Sequence, residues 1–97
     1  MKNQYITDLL APLLEQDSRY KPEAYLFVRE GLDHTVHTLN KPRHVSGQEL
    51  LEGMRDYALE EYGPVTKRVL SEWGISECID FGNIVFNLVN AGLLGKT

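Results

Sequence analysis

The chain has 97 residues and 11.1 kDa, with 42 % apolar and 25 % charged residues, which suits one globular domain and excludes an intrinsically disordered chain. A single cysteine, Cys78, excludes an internal disulfide and a multi-cysteine zinc site, and no run approaches the roughly 18 apolar residues of a membrane span. The net charge of −4 offers no general attraction to nucleic acid or anionic lipid. Asp8 and Pro12 interrupt the apolar stretch of residues 1–16, so no signal peptide is expected and the reading is a small cytoplasmic protein.

In the first predicted element, residues 3–16, Leu9, Leu10, Leu13 and Leu14 recur at helical spacing. Pro12 lacks a donor and clashes one turn back, so this helix is expected to be short or kinked. A polar loop leads to Pro22, suited to the first turn of a second helix. There Ala24, Phe27, Val28, Gly31, Leu32, Thr35, Val36 and Leu39 form one apolar face over about 18 residues.

The third helix has the clearest start. Ser46 and Glu49 make a capping box, with Val45 placed to staple onto Leu50. Leu50, Leu51, Met54, Tyr57, Ala58 and Tyr62 are its expected buried face. Gly53 inside this helix costs about 1 kcal/mol relative to alanine, which points to close approach of another helix. Gly63-Pro64 ends that helix and opens a fourth, residues 64–73, with Val65, Val69, Leu70 and Trp73 inward.

Gly74 and Ile75 then fit a Schellman cap, Ile75 meeting Leu70. The last helix is expected to have Asp80 as N-cap and an Ile79–Ile84 staple, and to close at Gly92 with Leu93 on Leu88. Phe81, Ile84, Val85, Phe86, Leu88 and Val89 cover more than half its circumference, so it is expected at the centre. The fold class is all-α: a bundle of about five helices in a single domain, 1–97, with the C-terminal helix central.

The closing Gly95-Lys96-Thr97 invites comparison with a phosphate-binding loop. The pattern would need a glycine at Asn90, a preceding strand and a following helix, so no cofactor is expected. Glu30, Asp33, His34 and His37 share one side of the second helix, a spacing found in helical metal sites; ordinary i,i+4 surface pairs explain it more simply. His44 has no nucleophile or orienting carboxylate at a telling spacing, and Cys78 has no flanking base to lower its pKa. No catalytic residue is assigned.

The third to fifth helices suit the helical part of a winged helix, the alternative reading as a nucleic-acid-binding domain. Phosphate contacts by Lys and Arg supply much of such binding, yet the 27 residues 69–95 contain neither. Residues 1–48 hold six basic and six acidic side chains and residues 49–97 four and eight, so the whole net charge lies in the second half. Asn83, Asn87 and Asn90 recur at i, i+4 and i+7. They read as an uncharged amide stripe, either beside the core or, with His44, as a docking surface.

Two stretches carry a family resemblance: Pro42-Arg43-His44-Val45-Ser46-Gly47-Gln48-Glu49-Leu50-Leu51-Glu52-Gly53, and Asp80-Phe81-Gly82-Asn83-Ile84-Val85-Phe86-Asn87-Leu88-Val89 with the closing Gly92-Leu93-Leu94-Gly95-Lys96-Thr97. They resemble an uncharacterised family of short bacterial proteins known mainly from planctomycetes and verrucomicrobia. Pro22-Glu23-Ala24-Tyr25 and Tyr62-Gly63-Pro64 fit the same pattern, so the resemblance spans residues 20–97. Members tend to continue into an acidic tail, which implies a short member or a shortened chain. The family has no assigned activity, so the resemblance implies no functional residues and only directs attention to residues 44–53 and the final helix. The expected function is a small, non-catalytic protein–protein interaction module, binding an unknown protein partner or a second copy.

Overall fold

Two glycines facing two larger side chains set a close helix crossing. In the computed structural model, which describes residues 2–39 and 46–93, the elements are α1 (Lys2–Gln16), α2 (Pro22–Leu39), α3 (Gly47–Tyr62), a single 3-10 turn (Gly63–Val65), α4 (Thr66–Glu72) and α5 (Cys78–Asn90). There is no strand among the described residues. Because α3, the 3-10 turn and α4 follow without a break, the expected five separate helices become four helical runs, 2–16, 22–39, 47–72 and 78–90. α1 passes through Pro12, whose ring lies exposed on its outer side.

The centre of the molecule is α2, a correction to the expectation for the last helix. Ala24, Tyr25, Phe27, Val28, Gly31 and Thr35 are all buried, whereas on α5 only Ile84 and Leu88 are, with Phe86 and Ile79 exposed. Apolar composition alone misleads here, because a helix touched from several sides buries even its small residues, while α5 packs by one face. Val65, expected inward, is 51 % exposed, since the 3-10 turn rotates it away from the face that Leu70 and Trp73 share.

α2 and α3 interlock through reciprocal notches. A Cβ on Gly31 would overlap the Met54 thioether, and one on Gly53 would overlap the Thr35 side chain. Thr35 is buried, its hydroxyl donating to the Gly31 carbonyl at 2.8 Å, and the hydroxyl oxygen and methyl together fill the Gly53 notch, the oxygen nearest. The close approach expected at Gly53 is thus found, with Thr35 as the group that needs the space. Beside this crossing, Phe27 gathers Tyr57, Tyr62 and Trp73, at ring-centroid separations of 5.3, 6.0 and 5.7 Å. Such aromatic contacts tie α2 to α3 and to the end of α4.

Local capping follows the sequence closely. The Ser46 hydroxyl accepts from the Glu49 amide at 3.1 Å, and the Glu49 carboxylate accepts from the Ser46 amide at 3.0 Å. Val45, the proposed staple partner of Leu50, lies outside the described residues. Gly74 and Gly92 have φ of 96° and 74°, and the amides of Ile75 and Leu93 donate to the carbonyls of Leu70 and Leu88, both at 2.9 Å. These are two Schellman caps. Gly74 is also pressed against the Arg19 carbonyl, so the loop between α1 and α2 closes over the end of α4; there the Lys21 amide donates to the Trp73 carbonyl at 3.1 Å.

The glycines make a direct test of this packing. Gly53→Ala forces Thr35 out of its notch and is expected to cost about 2–3 kcal/mol as an overpacking change. Gly82→Ala, where a Cβ would meet open space, is expected to gain about 0.5–1 kcal/mol from helix propensity. Urea unfolding of both variants measures this, and equal stabilities would refute the close crossing.

Candidate functional site

α5 is attached to the rest of the chain by two polar clusters that flank Ile84 and Leu88. Its first turn is set by Asp80, in a different role from the one expected. The helix begins two residues before Asp80, with Glu77 in extended conformation (φ −137°, ψ 161°) as N-cap and Asp80 at the third helical position. From there one carboxylate oxygen reaches back to accept from the Ser76 and Glu77 amides, both at 2.9 Å. A carboxylate in this turn also faces the positive end of the helix dipole. Starting earlier places Ile79 in the first turn, 67 % exposed, so the expected Ile79–Ile84 staple does not form.

The other oxygen of Asp80 accepts from the Tyr20 hydroxyl at 2.6 Å, and that hydroxyl accepts from the Asn83 amide at 3.1 Å. One turn further, the Asn87 amide donates to Asp17 at 3.0 Å and to the Tyr25 hydroxyl at 3.1 Å. Asp17 also takes the Arg19 guanidinium in two bonds, at 2.8 and 2.7 Å. Asn83 and Asn87 of the predicted stripe are therefore part-buried and engaged inside the molecule, and only Asn90 is exposed.

These contacts tune the acids. The Arg19 hydrogen bonds, more than those of Asn87, hold the Asp17 carboxyl well below its ordinary range against the opposing effect of burial. Burial pushes the Asp80 carboxyl up, but the donors Tyr20, Ser76 and Glu77 outweigh it and the net shift is downward. Burial, then the bond to Asp80, raises the Tyr20 hydroxyl. All three groups keep at pH 7 the charge they have free in water, so the arrangement fastens α5 without preparing a proton-transfer group.

The candidate metal residues are not brought together. Glu30 accepts from the Tyr57 hydroxyl at 3.2 Å, His34 lies against the Tyr57 ring at 5.2 Å, and His37 is exposed. Burial, with help from Glu30, pushes the Tyr57 hydroxyl up to about 12. Among the described residues no three His, Cys, Asp or Glu side chains group as a metal site. Cys78 is a free, exposed thiol. His44 and the closing Gly95-Lys96-Thr97 lie outside the described residues.

Sequence reading missed Asp17, Tyr20 and Tyr25, because their partners are more than 59 positions away and no local pattern marks them. It looked to an exposed edge of the final helix, since so apolar a segment cannot bury every face in a small chain, but it counted Phe86 as buried and so mistook which residues form the outer face of α5. Ile79, Gly82, Phe86 and Asn90 sit there at helical spacing, opposite Ile84 and Leu88. No helix among the described residues is long and apolar enough to cross a membrane. No family model, no curated protein and no solved structure matches the chain.

The acid side of the stability profile follows from the two aspartates. Their folded pKa values lie below the ordinary 3.8, so the native form binds fewer protons than the unfolded chain. Their stabilisation is complete above that value and is lost as the pH falls through the folded values. The expected urea midpoint is level from pH 7 to about 5 and drops steeply below about 4. Tyr20→Phe removes one donor to Asp80 and is expected to cost about 1 kcal/mol at pH 7 and to shallow the acid drop. An unchanged acid slope would show that the Tyr20–Asp80 bond does not set it.

Proposed function

We propose that the chain is a small protein–protein interaction module without catalysis, a single domain of the cytoplasm, that associates with a second copy through the outer face of α5. The observation that carries this reading is the pair Ile79 and Phe86, 67 % and 64 % exposed on the side of α5 turned away from the core. An exposed Phe and Ile on one helix face are a usual mark of a docking surface. Between them lies Gly82, where a Cβ would meet nothing, so the chain's own packing does not require a glycine there. In an antiparallel two-fold pairing of α5 helices, Phe86 of each copy would sit over Gly82 of the other, the self-complementary relation that an isologous dimer needs.

Charge supports the same occupant. Ile79, Gly82, Phe86 and Asn90 are all uncharged, so two copies of this face meet without opposing like charges. A nucleic-acid partner would meet a helix with no Lys or Arg. The exposed Cys78 thiol at the start of α5 fits a reducing compartment.

Light scattering over a concentration series tests the reading. The apparent mass is expected to rise above 11.1 kDa at high concentration, because so small a face supports weak association. Phe86→Glu is expected to abolish the rise without lowering the urea midpoint, since Phe86 is outside the core. Gly82→Leu adds apolar surface but fills the notch; it is expected to weaken association as well. A wild-type chain that stays monomeric, or a Gly82→Leu chain that associates more strongly, would overturn this pairing.

A further inference from the structure

On the opposite side of α5 from that face, α1, α2 and the end of α5 leave a cavity of about 130 Å³, walled by Leu9, Leu10, Leu26, Leu88 and Leu93. The one charged side chain among its described lining residues is Arg29. Arg29 is exposed and has no hydrogen-bond or ion-pair partner among the described residues, unlike Arg19, which is clamped on Asp17. Leu9, on the same wall, keeps 41 % of its surface open to solvent.

We propose that this cavity binds a small amphiphilic carboxylate, of the class of the medium-chain fatty acids. Size sets the apolar part. An apolar cavity of roughly 150 Å³ accepts benzene, so this one suits an alkyl body of about six carbons. Chemistry sets the other end. A guanidinium with no anion among the described residues presents a planar fork of donors that matches a carboxylate in two parallel hydrogen bonds. An alcohol fills the cavity without that match, and an ammonium is repelled. The remaining polar group of the wall, the Tyr25 hydroxyl, already accepts from Asn87 and stays with the fold.

The site is independent of the association proposed above, since its walls lie on the core side of α5, and it is tested on both the wild-type chain and Phe86→Glu. Sodium heptanoate is titrated at pH 7 and followed by methyl NMR. The expected result is saturable shifts at Leu9, Leu26 and Leu88 in both chains, with 1-heptanol binding more weakly and heptylammonium more weakly still. Arg29→Gln is expected to reduce heptanoate affinity about threefold to tenfold and leave heptanol unchanged, the range for a charge-assisted pair at a partly exposed site. Arg29→Lys keeps the charge without the fork and is expected to fall between. No saturable shift, heptanol binding as tightly as heptanoate, or an Arg29→Gln chain with unaltered heptanoate affinity would each overturn the proposal.

Discussion

The seating of Thr35 against Gly53 and of Met54 against Gly31 fixes how closely α2 and α3 approach, and the other elements are arranged around that distance. The two notches lie four residues from Thr35 on α2 and next to Met54 on α3, so each helix offers a knob and a hole on one ridge. Thr35 is suited to its place because its hydroxyl, the atom nearest Gly53, already donates to the Gly31 carbonyl, and among the described residues no buried side-chain polar atom lacks a partner. Once the crossing is set, Phe27 can touch Tyr57, Tyr62 and Trp73 together, and the aromatic group positions the bend from α3 into α4.

α5 joins this framework differently. Its fully buried contribution is Ile84 and Leu88, with Phe81 and Val85 packed part-buried against the core, and hydroxyl, amide and carboxylate groups add contacts to the loop before α2 and to α2 itself. Tyr20 and Tyr25 meet edge to face with centroids 6.3 Å apart, so a single aromatic pair presents both hydroxyls to successive turns of α5. That geometry explains why Asn83 and Asn87 lie four residues apart, each one answering a tyrosine. It also orients the helix: with Asn83, Ile84, Asn87 and Leu88 turned inward, Ile79, Gly82 and Phe86 must turn outward.

What was legible in the sequence is the part governed by neighbours in the chain. The capping box at Ser46, the two glycine-closed helix ends, the extent of α2 and the purpose of Gly53 all rest on spacings of two to five residues, and each is found. The rank of the helices was not legible. α5 reads as the most apolar, yet burial depends on how many elements surround a helix, and the small residues Ala24, Gly31 and Thr35 that admit neighbours carry little hydropathy. The start of α5 was misplaced for a related reason: an aspartate can cap from the third helical position as well as from before the first, and only the partner Tyr20 settles which. The asparagine stripe was seen as a pattern, but its partners come from distant sequence.

The charge asymmetry also takes on a structural meaning. In a stretch of 27 residues without Lys or Arg, Asp80 has no cation of its own segment to offset it. It is instead satisfied by neutral donors, two backbone amides and a tyrosine, while Asp17 across the interface holds the available guanidinium. Neutral donors are short-ranged and directional, so they fix a helix in one orientation where a long flexible cation would tolerate several. The absence of positive charge thus does more than weaken attraction to nucleic acid. It leaves the outer face of α5 free of charge while the inner face is pinned by hydrogen bonds, and this division lets a helix so apolar keep a Phe and an Ile on its surface without turning over to bury them.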